Sequence, residues 1–291
     1  MSLTNILALQ FGYAKVFTIY AVIAFLSCVA TFVLCRENVG KLNDIMRGSE
    51  KDTVRLKDLF KALFTNKYAL FLMIYIIILF SATTIIQTGG VYYATNVLGD
   101  QVLYSKFMVF MVIGNVIGFL VAAPLVKKVG SKKIFLFGAI ISAVCAAIMF
   151  ISNGRSFMLI CIGIMILAVT GITFTTTQIM AMTGDCVDYG EWKTGTRAEG
   201  TISAVSTIGT KIGGALGSAI LSAIMAAGGY ISGAETQTAG AVSSINFAFM
   251  GMPFILYALL AIFYLFTWKI EKQRKQMREE IMAYRMTKGE K

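Results

Sequence analysis

Lys211 stands alone in an apolar stretch running from Gly200 to Gly228, and Asp185, Asp188, Glu191 and Glu199 lie just upstream of it with Lys193 and Arg197 among them. An ammonium at bilayer depth costs roughly 2.5–3.5 kcal/mol on insertion scales. Such a residue is expected to be paired, to face a wet cavity or to work. At about 100° per residue, Ala204, Thr207, Ala215, Ser218 and Ser222 fall within about 40° of its azimuth. The lysine therefore belongs to a stripe of small and hydroxylated residues. Gly209, Gly213 and Gly217 form overlapping GxxxG spacings, the pattern of close helix packing in membranes. A cavity-facing lysine and a lysine that snorkels to the interface are the two alternatives; about eleven residues, or about 16 Å of helix, separate it from the charged end.

The acids suggest a second chemistry. Asp185 and Asp188 are spaced to share a helical face at the end of one apolar stretch, and Arg197 and Glu199 open the next. Ion pairs across that connection would be made when one mouth of a pore is closed and broken when it opens, which is an electrostatic latch. A solvated connector is the bland alternative. The stretch before it carries Thr170, Thr173, Thr175, Thr176, Thr177 and Gln178. These either back-bond within their own helix or form a wall, with Gln178 in it, against a hydroxyl-rich solute. Gln87, with Tyr92, Tyr93 and Asn96 in the predicted loop beyond it, supplies the amide and aromatic groups that recognise sugars. Asn115, between Gly114 and Gly118, is expected to bond to a neighbouring helix.

The elements that position these residues are membrane-spanning helices. The chain is 57% hydrophobic and 14% charged, where a soluble domain carries about 25% charge. Seven runs reach bilayer length, at residues 14–35, 68–88, 103–125, 134–152, 157–182, 200–227 and 246–268. The fold class is all-α and polytopic. The net charge of +11 does not indicate a nucleic-acid partner, because 22 of the 26 basic residues lie in segments 36–67, 127–133, 193–197 and 269–291. That asymmetry is the positive-inside pattern. It predicts a multi-pass protein of the cell (plasma or inner) membrane with a cytoplasmic C-terminus and basic loops against lipid headgroups. The opening residues lack the basic start and small-residue cleavage site of a signal peptide. With no histidine and no paired cysteine spacing outside the spans, neither a metal site nor a disulfide framework is expected. No cofactor is expected, and no nucleotide loop or catalytic triad supports an enzyme.

Four regions follow: residues 1–35, an external segment and one span; 36–67, a middle loop in which Val54, Leu56, Leu59, Phe60, Leu63 and Phe64 predict an amphipathic surface helix; 68–268, a six-helix bundle; and 269–291, a basic tail. An odd number of spans with the tail inside leaves two explanations. One is a genuine seven-helix protein, and the other is a chain beginning partway through a longer one.

The segment Asp185-xx-Asp188-Tyr189-Gly190-Glu191-Trp192-Lys193-Thr194-Gly195-x-Arg197-x-Glu199-Gly200 resembles the signature of the glycoside–pentoside–hexuronide:cation symporters, the melibiose-permease-like branch of the major facilitator superfamily. The basic turn Pro124-xx-Lys127-Lys128-Val129-Gly130-x-Lys132-Lys133 is similar to a less specific turn of that superfamily. The resemblance implies that the spans match helices six to twelve of a twelve-helix fold, the C-terminal bundle plus one preceding helix. It implies a central sugar site, coupling to Na⁺, H⁺ or Li⁺, a gate made of Asp185, Asp188, Arg197 and Glu199, and a coupling role for Lys211, with Gln178, Thr207, Gln87 and Tyr92 as candidate substrate-side residues. The family's acidic cation ligands lie on helices that this sequence does not contain. The expectation is a cation-coupled sugar symporter present as its C-terminal portion, whose partner is a missing N-terminal six-helix bundle. A non-transporting module, or a half-transporter needing a partner chain, is the alternative; a seven-span receptor is disfavoured.

Overall fold

The computed structural model describes residues 13–34, 66–152, 156–194, 199–234, 236–270 and 273–288. The chain divides into two units, residues 1–59 and 60–291. In the first, α1 (Tyr13–Leu34) is apolar on every side and exposed along almost its whole length. Its Thr18, Ser27 and Thr31 hydroxyls each donate to a carbonyl four residues back at 2.8 Å, so their polarity is satisfied inside the helix. The surface helix expected over residues 36–67 lies outside the described residues, except that Asn66 and Lys67 begin the next span.

The second unit is a bundle of six spans. These are α2 (Lys67–Asn96), α3 (Val102–Val129), α4 (Ser131–Ile151), a composite of α5 (Phe157–Ile166), a π-helical segment (Leu167–Phe174) and α6 (Thr175–Thr194), then α7 (Glu199–Ala227), and a second composite of α8 (Ala239–Asn246), a π-helical segment (Phe247–Gly251) and α9 (Met252–Thr267). A further helix, α10 (Arg274–Lys288), follows. With α1, seven helices among the described residues are long and apolar enough to cross a membrane. Each is helical because a backbone in hydrocarbon must satisfy its own polar groups.

Three boundaries differ from the hydropathy expectation. Helix α2 continues through Tyr92 and Tyr93 to Asn96, where a loop is expected, and α6 continues through Asp185 to Thr194, taking in most of the predicted acidic connector. The last span starts at Ala239 rather than residue 246. In the first two cases the helix outruns the apolar stretch because neighbouring helices cover it: Tyr93 stacks on Phe249 at 5.0 Å between centroids, and Tyr189 meets Tyr68 edge-on at 4.8 Å.

Aromatic clusters pin the two ends of the bundle. Phe135, Tyr264, Trp268, Tyr75 and Tyr68 interlock at the end where the lysines gather, and Tyr93, Phe107, Phe249 and Phe157 at the other. Between them, close contact is made by small residues. The closest seam joins α7 to α2, which run in the same direction. A Cβ on Gly213 would lie 2.7 Å from the Ile77 carbonyl oxygen, and one on Gly217 would lie 2.7 Å from that of Ser81. The Ser81 hydroxyl donates to the Gly213 carbonyl at 2.9 Å across the seam. Glycine is required there because any side chain would separate the backbones.

Gly213→Leu is therefore expected to destabilise the bundle by about 1–3 kcal/mol or more through overpacking. Gly214→Ala, whose nearest neighbour is the Thr84 hydroxyl at 3.7 Å, should be near neutral. Thermal unfolding of the two variants in detergent checks the contrast; equal melting temperatures would refute the seam.

Candidate functional site

The glycine seam dictates where Lys211 points. Gly209, Gly213 and Gly217 centre about 160° from the lysine azimuth, so the ridge that binds α2 sends Lys211 to the opposite side. Lys211 is exposed, and so are Ser203, Ala204, Thr207, Ala215, Ser218 and Ser222. The outward faces of the other spans differ in kind. Those of α9 carry Phe254, Ile255, Leu259, Ile262, Leu265 and Phe266, and those of α3 carry Val109, Val112, Val116, Phe119 and Leu120, all exposed. These suit hydrocarbon. On α7 exposed Ile208, Ile212 and Leu216 alternate with a cation and hydroxyls. The hydroxyls of Thr207 and Ser218 donate to Ser203 and Gly214 carbonyls at 3.2 and 3.1 Å. Their free lone pairs still accept bonds from outside. Beside this face, Gln87 on α2 is exposed, and Tyr92 is half-buried with its ring 5.6 Å edge-on from that of Tyr230.

The other candidate groups gather at the basic end. Helix α6 brings Asp185 there, 4% exposed, and Arg274 at the start of α10 donates to its Oδ2 in an ion pair. Removing one partner of a fully buried pair costs roughly 3–5 kcal/mol; the penalty is smaller here because the arginine side chain is 32% exposed. Two turns along α6, the Trp192 indole N–H donates to Glu280 Oε2 at 2.6 Å, and the Gln276 amide donates to Glu280 Oε1 at 2.8 Å. The Lys193 ammonium sits 4.3 Å from the Trp192 ring centroid. Asn66 closes the same end: its Oδ1 caps α2 by accepting from Ala69 N at 3.1 Å, and its amide donates to the Cys186 carbonyl at 2.8 Å.

The expected residues therefore fall into separate places. Thr207, Lys211 and Gln87 are on exposed faces of α7 and α2. Gln178 is not with them: it is 1% exposed, packed against the start of α4, where the Ser131 hydroxyl donates to its Oε1. Of the threonines before it, Thr170, Thr173 and Thr175 are buried and Thr176 and Thr177 half-buried. Thr170 shares a 2.8 Å hydrogen bond with Ser142, Thr173 donates to Asn115 at 3.0 Å, and Thr177 donates to the Thr173 carbonyl at 2.7 Å. Asn115 thus ties α3 to the π segment, where Gly114 and Gly118 also pack closely. Of the four latch residues, Asp185 is buried, Asp188 half-buried and Glu199 exposed in the first turn of α7, while Arg197 lies outside the described residues. The arginine seen on Asp185 comes from the tail. Sequence reasoning missed Arg274, Gln276 and Glu280; the signal available was the helical spacing of Ile270, Met277 and Ile281, all buried, inside a basic tail.

Comparison with known proteins adds a match of residues 5–272 to a family described as MFS/sugar transport protein. The chain is 32% identical over 233 residues to a putative sulfoquinovose importer of Salmonella typhimurium, covering 79% of this chain and 48% of that protein. It is 28% identical to the isoprimeverose transporter of Lactiplantibacillus pentosus (91% of this chain, 54% of the relative) and 26% identical to a glucuronide carrier protein homolog of Escherichia coli (69% and 46%). The chain spans about half the length of these relatives.

The hydrogen bond from the Trp192 indole, then that from Gln276, and the nearby Lys193 charge hold the Glu280 carboxyl below its ordinary range. A carboxyl lowered in the folded state adds stability that is complete above the unfolded glutamate value, about 4.3, and is lost as pH falls through the folded value. The change in tryptophan emission should thus have its midpoint below about pH 4.3, and Glu280→Gln should remove that transition. A transition at or above the ordinary glutamate value would contradict the assignment.

Proposed function

The chain belongs to the MFS/sugar transport family, within the major facilitator superfamily and akin to the glycoside–pentoside–hexuronide symporters, and on that premise we propose that it forms one side of a sugar pathway worked by alternating access. It is a multi-pass membrane protein of a transporter family, not an enzyme. One observation carries the proposal: on the face of α7 opposite its glycine seam, mid-span Lys211 and a row of hydroxyls point outward, while α3 and α9 turn large apolar residues outward. Such a face is mismatched to lipid and matched to a wet cavity or to a second, polar helical surface.

In this reading a second six-helix bundle stands opposite α7, and the sugar binds between the two. Hydroxyls of Thr207 and Ser218 and the amide of Gln87 supply hydrogen bonds to sugar hydroxyls, and Tyr92 borders the far end. Lys211 senses the occupant of the opposite bundle, being held outward where a carboxylate, a cation site or an anionic sugar changes its surroundings. Coupling to Na⁺ or H⁺ belongs to that partner surface, since the exposed α7 face carries a positive charge. The basic end is the cytoplasmic mouth by the positive-inside pattern, and the Asp185, Asp188 and Glu199 carboxylates act there as closing charges. The relatives are named for sulfoquinovose, isoprimeverose and glucuronide; the substrate class proposed is a monosaccharide derivative or short glycoside. A half that assembles with a partner chain remains the second reading, favoured by the same uncovered face.

The test is uptake of labelled sugars of these three kinds into vesicles under an imposed Na⁺ or proton gradient. The chain is assayed alone and with a partner bundle supplied in the same membrane. Uptake only with the partner is expected, and Lys211→Ala should abolish accumulation while leaving the folded yield unchanged. Uptake by the chain alone would overturn the need for a second bundle, and unchanged accumulation in Lys211→Ala would return the lysine to a snorkelling role.

A further inference from the structure

Helix α10 follows the last span after a short turn in which Gln273 N bonds to the Ile270 carbonyl at 2.9 Å. It then lies against α6. Arg274 meets Asp185, and Glu280 meets Trp192. The two partners on α6 are seven residues apart, about 10.5 Å of helix, and the two on α10 are six apart, about 9 Å. Pairing in this order means that the helices run side by side in the same direction. Met277, between the polar clasps, is fully buried and Ile281, just past the second, nearly so, both within the bundle's main core. A solvated basic tail has no reason to bury methionine and isoleucine with matched polar contacts at either side.

We propose that α10 is a brace that fastens the basic end of α6 to the end of α9, so that these two spans move as one piece. Three observations support this assignment. The clasps have matching spacing on both helices. Arg274 pairs with a carboxylate that is 4% exposed, so detaching α10 removes an ion-pair partner from a buried charge. The region above the brace is separated from the rest of its span by the π segment Leu167–Phe174, a helix geometry that accommodates local bending. With α10 detached, Thr175–Thr194 would keep its contacts with Asn66 and Tyr68 but lose its link to the end of α9; with α10 in place, its movement is transmitted to Trp268 and the aromatic cluster below. Arg274 and Glu280 are then positioning residues for the mouth. The brace stands on packing and does not depend on the transport reading.

Cys186 supplies the readout. It is fully buried beside Asp185, and local opening exposes it. In a chain with Cys28 and Cys35 replaced by serine, Cys186 in the intact protein should resist a maleimide. Arg274→Ala should raise its labelling rate about tenfold or more, with a smaller rise for Trp192→Phe. Buried Cys161 on α5 serves as control, and mass spectrometry assigns the modified site. Labelling of Cys186 but not Cys161 reports local release of the brace. If Arg274→Ala unfolds the chain, Trp192→Phe and the charge-swapped pair Asp185→Arg with Arg274→Asp keep the question open to test: the swap should restore protection. Cys186 remaining inert in Arg274→Ala and Trp192→Phe alike would overturn the proposal, as would equal labelling of Cys161.

Discussion

The approach of α7 to α2 is the constraint on which the rest of the bundle depends. Three glycines at four-residue spacing let two backbones meet with no side chain between them, and the hydrogen bond from Ser81 to the Gly213 carbonyl locks their register. Because the ridge occupies one side of α7, the opposite side is committed to facing away from the bundle. The position of Lys211 follows from that geometry and not from any attraction of its own. The glycine seam and the lysine face are two sides of one helix, and neither can shift without the other.

The two ends of the molecule are built differently from its middle. Interlocked aromatic rings close both ends, whereas the centre holds glycines, hydroxyls and π-helical turns. The wide turn at Leu167–Phe174 is accommodated by absent side chains: Gly114 and Gly118 on α3, Gly138 on α4, and its own Gly171, whose Cβ would strike the Tyr257 hydroxyl at 2.6 Å. Hydroxyl pairs such as Ser142 with Thr170 fill the polar requirement that loose turns create. The ends are thus packed by rings, and the waist around Leu167–Phe174 by small residues and hydroxyl pairs.

Much of this architecture was legible in the sequence. Runs of bilayer length placed all seven helices, and the lone lysine with its small neighbours marked α7 as unusual, because an unpaired charge among apolar residues has few physical outcomes. The errors also have physical causes. Hydropathy ends a span where polarity begins, but helix α6 runs on past Asp185 and Tyr189, which meet Arg274 of α10 and Tyr68 of α2. For Gln178 the sequence left a solute-facing wall and an internal role both open; the structure buries it, with the Ser131 hydroxyl donating to its Oε1. Charge alone marks the tail as a solvated basic segment and hides the spacing of Ile270, Met277 and Ile281.

The junction between α3 and α4 carries a consequence for how the bundle is assembled. Two long helices, Val102–Val129 and Ser131–Ile151, are separated by a single residue, Gly130, at φ +89°, with Lys127, Lys128, Lys132 and Lys133 around it. Side chains rarely adopt that backbone angle, so the corner has one economical sequence and almost no slack. Four ammonium groups confined to so short a corner resist being drawn into hydrocarbon together. The pair is therefore suited to enter the bilayer as a preformed hairpin whose apex stays behind, giving the remaining helices a fixed two-helix template against which to dock.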